Sequence, residues 1–260
     1  MNVGLMLAGL TVGLLVGLTG MGAGSLMTPI LITFFGIPAS TAVGTDLVYA
    51  AVTKMFGAAR HHQLKNVNPQ LALWMATGSV PAAFLGTYAL YNLFGDNVNT
   101  WLPDVIGYTL IAVGIAVAIR TFVTIRGLWD HTKLPVDGEL TTNHKVLAVT
   151  IGAVFGFVLG LTSVGSGVFF GMALVTLFPL SARRVVGTDL FHAMMVTLAA
   201  AAGTIIWGTP NFGYVGTILI GSIPGILIGS HFTARMPARA LRGSIASVLA
   251  LSGLKLLGAF

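Results

Sequence analysis

Two aspartates lie inside apolar stretches of the sequence, each within the same five-residue motif. The motif V-G-T-D-L occupies residues 43–47 and recurs at residues 186–190, 143 positions later. An ionised carboxylate surrounded by hydrocarbon is costly, so both aspartates are expected to face the protein interior or an aqueous cavity. Asp46 and Asp189 could titrate with coupled protons or organise a polar site. The alternative is a structural hydrogen bond, for example to the free amides of a broken helix.

Two further ionisable residues follow the aspartates on the same predicted helices. Lys54 comes eight residues after Asp46, about 12 Å along a helix, so the two share a face without pairing directly. Lys54 could attract an anion or snorkel toward the cytoplasm, and its repeat equivalent, Thr197, carries no charge. His192 comes three residues after Asp189, which permits either a proton-relaying carboxylate–imidazole contact or simple packing.

Glycine-rich stretches precede both aspartate motifs. They read G-L-T-G-M-G-A-G at 17–24 and G-L-T-S-V-G-S-G at 160–167. Small residues allow close helix packing in membranes. The more specific prediction is that each stretch ends one helix and begins a short one, whose free N–H groups and positive dipole end favour an anion. The candidate substrate-binding residues are Thr19, Gly22, Gly24, Ser25, Thr45, Thr162, Ser163, Gly165, Ser166, Gly167 and Thr188.

Several other kinds of site are disfavoured. No Gly-Lys-Ser/Thr follows the glycines, so a phosphate-binding loop and a primary ATP-driven pump are not expected. His61 and His62 are adjacent and therefore diverge on a helix, and no acidic set accompanies them, so no metal is predicted. With Arg60 and Lys65 they indicate topology or an anion-attracting funnel. The absence of cysteine excludes disulfides and thiolate sites, and no cofactor is expected.

Composition identifies the elements that must position these residues. Of 260 residues, 55% are hydrophobic and only 8% charged, whereas about a quarter is charged in soluble domains. Apolar stretches recur from end to end, and a membrane-spanning helix needs about 20 such residues. We therefore predict an all-α polytopic membrane protein. The apolar segments fall at 2–19, 24–37, 39–60, 69–93, 103–123, 145–163, 168–180, 182–207, 211–233 and 238–259.

The segments form two repeats of five. A shift of 143 positions aligns 17–47 with 160–190 without a gap, and 14 of the 31 positions are identical. This indicates an internal duplication. The predicted units are a first repeat at 1–123, a linker at 124–144 and a second repeat at 145–260. Each repeat has four long segments and one short one, the short one being about 13 residues or roughly 20 Å of helix, which gives about 8–10 transmembrane segments.

Charge placement predicts that the repeats are inverted. Basic residues cluster in the linker and after the third segment, which the positive-inside rule places in the cytoplasm. The connection at 208–213 is uncharged, although it is the repeat equivalent of the basic connection after the third segment. Opposite orientation of the two halves, with both termini outside, follows. Inverted repeats built around broken helices are typical of secondary transporters.

The motifs resemble those of the sulfite exporter TauE/SafE family of membrane permeases. The resemblance rests on G-L-T-G-M-G-A-G-S-L-M-T-P-I-L, F-G-I-P-A-S-T-A-V-G-T-D-L, T-K-M-F-G-A and G-S-V-P-A in the first half, with G-T-D-L and G-S-I-P-G in the second. It implies an inner-membrane permease, driven by an ion gradient, for sulfur-containing anions such as sulfite, sulfonates and sulfoacetate.

The sequence therefore predicts a transporter rather than an enzyme. In the predicted mechanism, alternating access exposes an anion held between the two glycine turns, with Asp46, Asp189, His192 and Lys54 coupling transport or organising the site. The predicted partners are the anion, the bilayer and protons or another coupling ion, with no nucleic acid; a homo-oligomer is left open. Two alternatives remain: an anion channel, and a membrane-embedded enzyme using Asp189 and His192.

Overall fold

The computed structural model describes residues 2–19, 26–94, 97–125, 140–178, 180, 182–232 and 238–258, which are mostly helical and contain no strand. The helices are α1 (Val3–Thr19), α2 (Met27–Phe35), α3 (Ala39–Gln63), α4 (Pro69–Tyr88, continued by a π-helical turn at Ala89–Leu93), α5 (Val98–Ile125), α6 (Thr142–Thr162), α7 (Phe169–Leu177), α8 (Ala182–Trp207), α9 (Phe212–Phe232) and α10 (Ala238–Leu256). The predicted order of five helical segments per half is confirmed. The two short members, α2 and α7, have nine residues each.

The surface of the described residues suits a bilayer. Four helical stretches are long and apolar enough to cross a membrane by length and composition: Val98–Ile119, Thr142–Thr162, Arg184–Trp207 and Phe212–Gly229. Large apolar side chains also face outward, including Phe56, Tyr108 and Leu227, which are each at least 65% exposed. Contiguous surface of this kind would be a liability in water but is solvated by lipid. The chain is a multi-helix membrane protein.

Equivalent pairs of helices pack between the two halves of the chain. α1 lies along α9, and its repeat equivalent α6 lies along α4. A Cβ added to Gly13 would meet the backbone of Ser222, and one added to Gly156 would meet the backbone of Ser79. Both members of the second pair lie 143 positions from their counterparts. Close packing through small residues is therefore duplicated, as expected of membrane helices, and α3 packs against α8.

Helix ends are set by local capping chemistry. The Asn68 side chain accepts a 3.1 Å hydrogen bond from Leu71 N at the start of α4, where Pro69 is the first helical residue. In the second half, Asn211 accepts from Tyr214 N at 3.0 Å. Gly36 ends α2 with a φ of 62°, a left-handed conformation that glycine adopts at little cost.

The predicted linker differs from the structure at its margins. Residues 126–139 lie outside the described residues, while the first two linker residues belong to α5. At the other side, α6 begins at Thr142, three residues earlier than predicted, because Thr141 caps it by accepting from His144 N. The fifth segment also begins earlier than predicted, at Val98, so that Pro103 lies inside α5.

Candidate functional site

Asp46 accepts hydrogen bonds from residues of both halves of the chain. Its side chain is fully buried. Its Oδ2 accepts hydrogen bonds from Thr28 Oγ1 at 2.6 Å and from Ser163 Oγ at 2.9 Å. Thr28 is the second residue of α2, and Ser163 directly follows α6. The beginning of the first short helix and the end of a long helix of the second half therefore converge on one carboxylate.

The second glycine stretch forms a tight turn between α6 and α7. Ser163 ends α6 with a φ of 61° and donates its N–H to Leu159 O at 2.7 Å. Gly165 and Gly167 follow with φ values of 98° and 97°. Residues other than glycine rarely have a positive φ. A residue in such a strained conformation, as Ser163 is, is often found at a functional site. The glycines allow the chain to end α6 and to begin α7 at Phe169 within a few residues.

Lys54 is buried beside this turn. Only 3% of its surface is exposed, and its Nζ lies 2.5 Å from Ser166 Oγ. It is close enough to Asp46 and Asp189 for both carboxylates to act on its ammonium. The snorkelling alternative is therefore wrong for Lys54, since the ammonium points into the protein toward the turn. α3 thus places an acid and a base on two serines of the same turn.

Polar atoms around the turn are left without protein partners. Asp46 Oδ1 is buried and has no hydrogen-bond partner in the described part of the chain. An ammonium has three donors, and among the described residues Lys54 uses one, on Ser166. Buried polar groups without partners are costly. A small anion that accepts hydrogen bonds would satisfy the Lys54 donors, and it would satisfy Asp46 Oδ1 when that oxygen carries a proton.

His192 contacts a different helix from the one predicted. Its Nε2 lies 2.7 Å from Ser79 Oγ of α4. Its ring packs edge-on against that of Phe170, with 4.4 Å between the ring centroids. Nδ1 is buried with no partner within the described ranges. Neither ring nitrogen is bonded to Asp189, so the predicted carboxylate–imidazole contact is absent and the packing alternative describes His192. Asp189 itself is 7% exposed.

The candidate threonines support helix ends. Thr45 Oγ1 accepts a hydrogen bond from Asn211 N at 3.1 Å, and Thr188 Oγ1 accepts from Asn68 N at 2.9 Å. These two bonds are repeat equivalents and join α3 and α8 to the starts of α9 and α4. Thr162 donates to Val158 O at 2.7 Å in its own helix. The structure brings Ser163 and Ser166 to Asp46 and Lys54, and leaves these three threonines in helix-end contacts.

Part of the predicted site lies outside the described residues. This applies to Gly22, Gly24, Ser25 and the side chain of Thr19, so the first glycine stretch stays a prediction. The side chains of Arg60 and His61 are likewise outside. No cluster of three metal-ligating side chains occurs among the described residues.

Three contributors to the buried polar region were missing from the sequence prediction. Thr28 bonds to Asp46, and Ser79 bonds to His192. Ser222, the repeat equivalent of Ser79, is fully buried and faces Tyr49, the repeat equivalent of His192. Both serines belong to the duplicated G-S-x-P motif at 78–81 and 221–224, so that motif was a usable signal. Thr28 had no such signal, because its repeat equivalent is Gly171.

Comparison with known proteins finds a matching family model and several named relatives. The family model described as "Sulfite exporter TauE/SafE" matches residues 5–256. The Bacillus subtilis protein named "Probable membrane transporter protein YjnA" is 41% identical, covering 99% of this chain and all of the relative. "Probable membrane transporter protein YdhB" of the same organism is 27% identical over 94% of this chain and 96% of its own length. "Probable membrane transporter protein MJ0441" of Methanocaldococcus jannaschii is 26% identical over 97% and 94%. No solved structure matches.

Proposed function

Because this chain belongs to the sulfite exporter TauE/SafE family of membrane transporters, we propose that it is a secondary transporter for a small sulfur-containing anion. Sulfite, sulfonates and sulfoacetate are the candidate substrates. The proposed location is the cytoplasmic membrane, with the linker at 124–144 in the cytoplasm and both termini outside.

The observation that carries the proposal is the buried ammonium of Lys54 on Ser166 Oγ. Among the described residues Lys54 contacts a hydroxyl group rather than a carboxylate, and a buried lysine inside a membrane protein marks a ligand or ion site. Its two remaining donors suit the oxygens of a sulfite or sulfonate group. Ser166 and the glycine at each side of it let the turn approach such an anion closely.

The duplicated helix packing supports alternating access as the mechanism. α1 with α9 and α4 with α6 form two similar pairs, and Asp46 connects a short helix of one half to the turn of the other. Two similar packed units around one site can exchange conformations, which is the basis of alternating access in repeat transporters. In this proposal a gradient of protons or another ion drives the exchange, and the two halves are inverted.

A thermal-shift panel on the purified protein tests the substrate class. A ligand that binds only the folded state raises the melting temperature by mass action. The panel contains sulfite, sulfate, thiosulfate, sulfoacetate, isethionate and taurine, with acetate and succinate as carboxylate controls. A shift with one or more sulfur anions that Lys54→Met abolishes supports the proposal. A shift with the carboxylates alone would contradict it.

A further inference from the structure

We propose that Asp46 binds the substrate anion as a neutral carboxylic acid, so that one proton and one anion enter the site together. This inference rests on the proposed function and specifies its coupling. It assigns the proton to one oxygen, Oδ1 of Asp46, and gives that proton a direct contact with the anion.

The hydrogen bonds of Asp46 suit the protonated form. Thr28 and Ser163 both donate to Oδ2, at 2.6 and 2.9 Å, which is the pattern a carbonyl-type oxygen accepts through its two lone pairs. Oδ1 is buried and has no partner within the described residues. Protonation at Oδ1 therefore keeps both existing bonds and adds one donor. An ionised Oδ1 would instead remain an acceptor without a donor in a fully buried position.

The charges of the side chains around the turn between α6 and α7 lead to the same conclusion. The described charged side chains that contact the turn are Lys54, on Ser166, and Asp46, on Ser163, and their charges balance when both are ionised. An incoming anion would add a second negative charge in a region of low dielectric constant, where like charges repel strongly. Protonation of Asp46 offsets the charge that the anion adds. Lys54 and the acid can then both donate to the anion.

The other ionisable groups around Asp46 are less suited than Asp46 to carry the coupled proton. On α3, the charge of Lys54 acts on Asp46, and the charge of Asp46 acts on Tyr49. α8 contributes Asp189, whose charge acts on Lys54. It also contributes His192, whose Nε2 is hydrogen-bonded to Ser79. α2 contributes the hydroxyl and the backbone N–H of Thr28, and the 163–167 turn contributes the hydroxyl of Ser163. The described ionisable side chains of α5 and α9 are Asp104, Tyr108, Tyr214 and His231, and Asp104, Tyr108 and His231 are exposed.

The decisive variant is Asp46→Asn, which imitates the protonated acid. Its amide oxygen can accept from Thr28 and Ser163, and its NH₂ can donate where Oδ1–H would. The matched control is Asp189→Asn, the same change at the repeat-equivalent aspartate. Isothermal titration calorimetry of the full-length protein at mildly alkaline pH, in two buffers of different ionisation enthalpy, counts the protons taken up with each anion. Sulfite, isethionate and thiosulfate are separate probes.

The unsubstituted protein and Asp189→Asn are expected to take up about one more proton per anion than Asp46→Asn, whatever proton the anion itself carries. By the same linkage, anion affinity should fall more steeply with rising pH in both than in Asp46→Asn. Binding with equal proton uptake in the unsubstituted protein and Asp46→Asn would overturn the inference and leave the proposed function standing. Loss of the proton in Asp189→Asn alone would also overturn it. Binding of none of the three anions to the unsubstituted protein would contradict the proposed function itself.

Discussion

The ammonium of Lys54 lies 2.5 Å from the hydroxyl oxygen of Ser166, across 112 positions of sequence. This contact joins α3 of the first repeat to the broken segment of the second. Eight residues earlier on α3, Asp46 holds Ser163 of the same turn. The turn between α6 and α7 is therefore held by two charged side chains, and an anion that binds there must compete with or complete those contacts.

Replacing Lys54 by methionine should weaken anion binding while keeping the fold. Methionine has a similar length but no charge, and a hydrogen bond to a charged group is worth about 1.5–3 kcal/mol, so the affinity should fall about tenfold or more. Titration calorimetry measures the affinity, and a melting curve checks that the protein remains folded. The matched control is Thr197→Val at the repeat-equivalent position, where the hydroxyl bonds within its own helix. Unchanged affinity in Lys54→Met would contradict a ligand role for Lys54.

The threonines that precede the two aspartates should affect stability rather than binding. Thr188→Val leaves the amide of Asn68 without its acceptor, and Thr45→Val does the same to Asn211. An amide left without a partner costs about 1–3 kcal/mol. Both variants should therefore melt at lower temperature and bind the anion with unchanged affinity. A loss of affinity with an unchanged melting temperature would restore these threonines as substrate ligands.

These threonines also show the limit of what the sequence predicted. The duplicated V-G-T-D-L motif located residues at the contact between the two halves, because a polar group repeated in two apolar segments indicates a buried role. It did not reveal which partner each group has. Thr45 and Thr188 bond to backbone amides of helices that are distant in sequence, and such pairings arise only from the tertiary packing.

Lys54 shows a similar limit, because the sequence predicted its helix face but not its surroundings. Sequence spacing placed it correctly on the face of Asp46, but snorkelling depends on how deep the residue lies and on what α3 packs against. The helices themselves were predictable to within a few residues, since apolar runs between turn and charge signals set them. The inverted orientation of the repeats stays a prediction from charge placement.

The glycines along α9 predict a sharp contrast within one helix. A Cβ at Gly221 would collide with the backbone of Met6 on α1, whereas a Cβ at Gly216 would meet open space. Gly221→Ala should therefore destabilise the protein by about 1–3 kcal/mol through overpacking. Gly216→Ala should be neutral or stabilising by up to about 1 kcal/mol, because alanine favours the helix. Melting temperatures in the same detergent compare the two, and equal shifts would contradict close α1–α9 packing.

His192 should not be needed for the pH dependence of transport. Its Nε2 bonds to Ser79 and neither ring nitrogen contacts Asp189, so a proton relay through this pair is not expected. Glutamine can replace the Ser79 contact. His192→Gln should keep the pH profile of anion uptake into proteoliposomes, with a reduced melting temperature where packing on Phe170 is lost. A flattened pH profile would instead show that the imidazole carries protons.

Uptake of radiolabelled sulfite into proteoliposomes containing the purified protein tests most directly whether the chain is a secondary transporter of sulfur anions. The proposed function predicts saturable uptake that an imposed ion gradient drives above equilibrium, that other sulfur anions inhibit, and that Lys54→Met abolishes. Non-saturable flux that never exceeds equilibrium would indicate a channel and contradict alternating access. Uptake equal to that of empty liposomes, with carboxylates carried instead, would contradict the sulfur substrate.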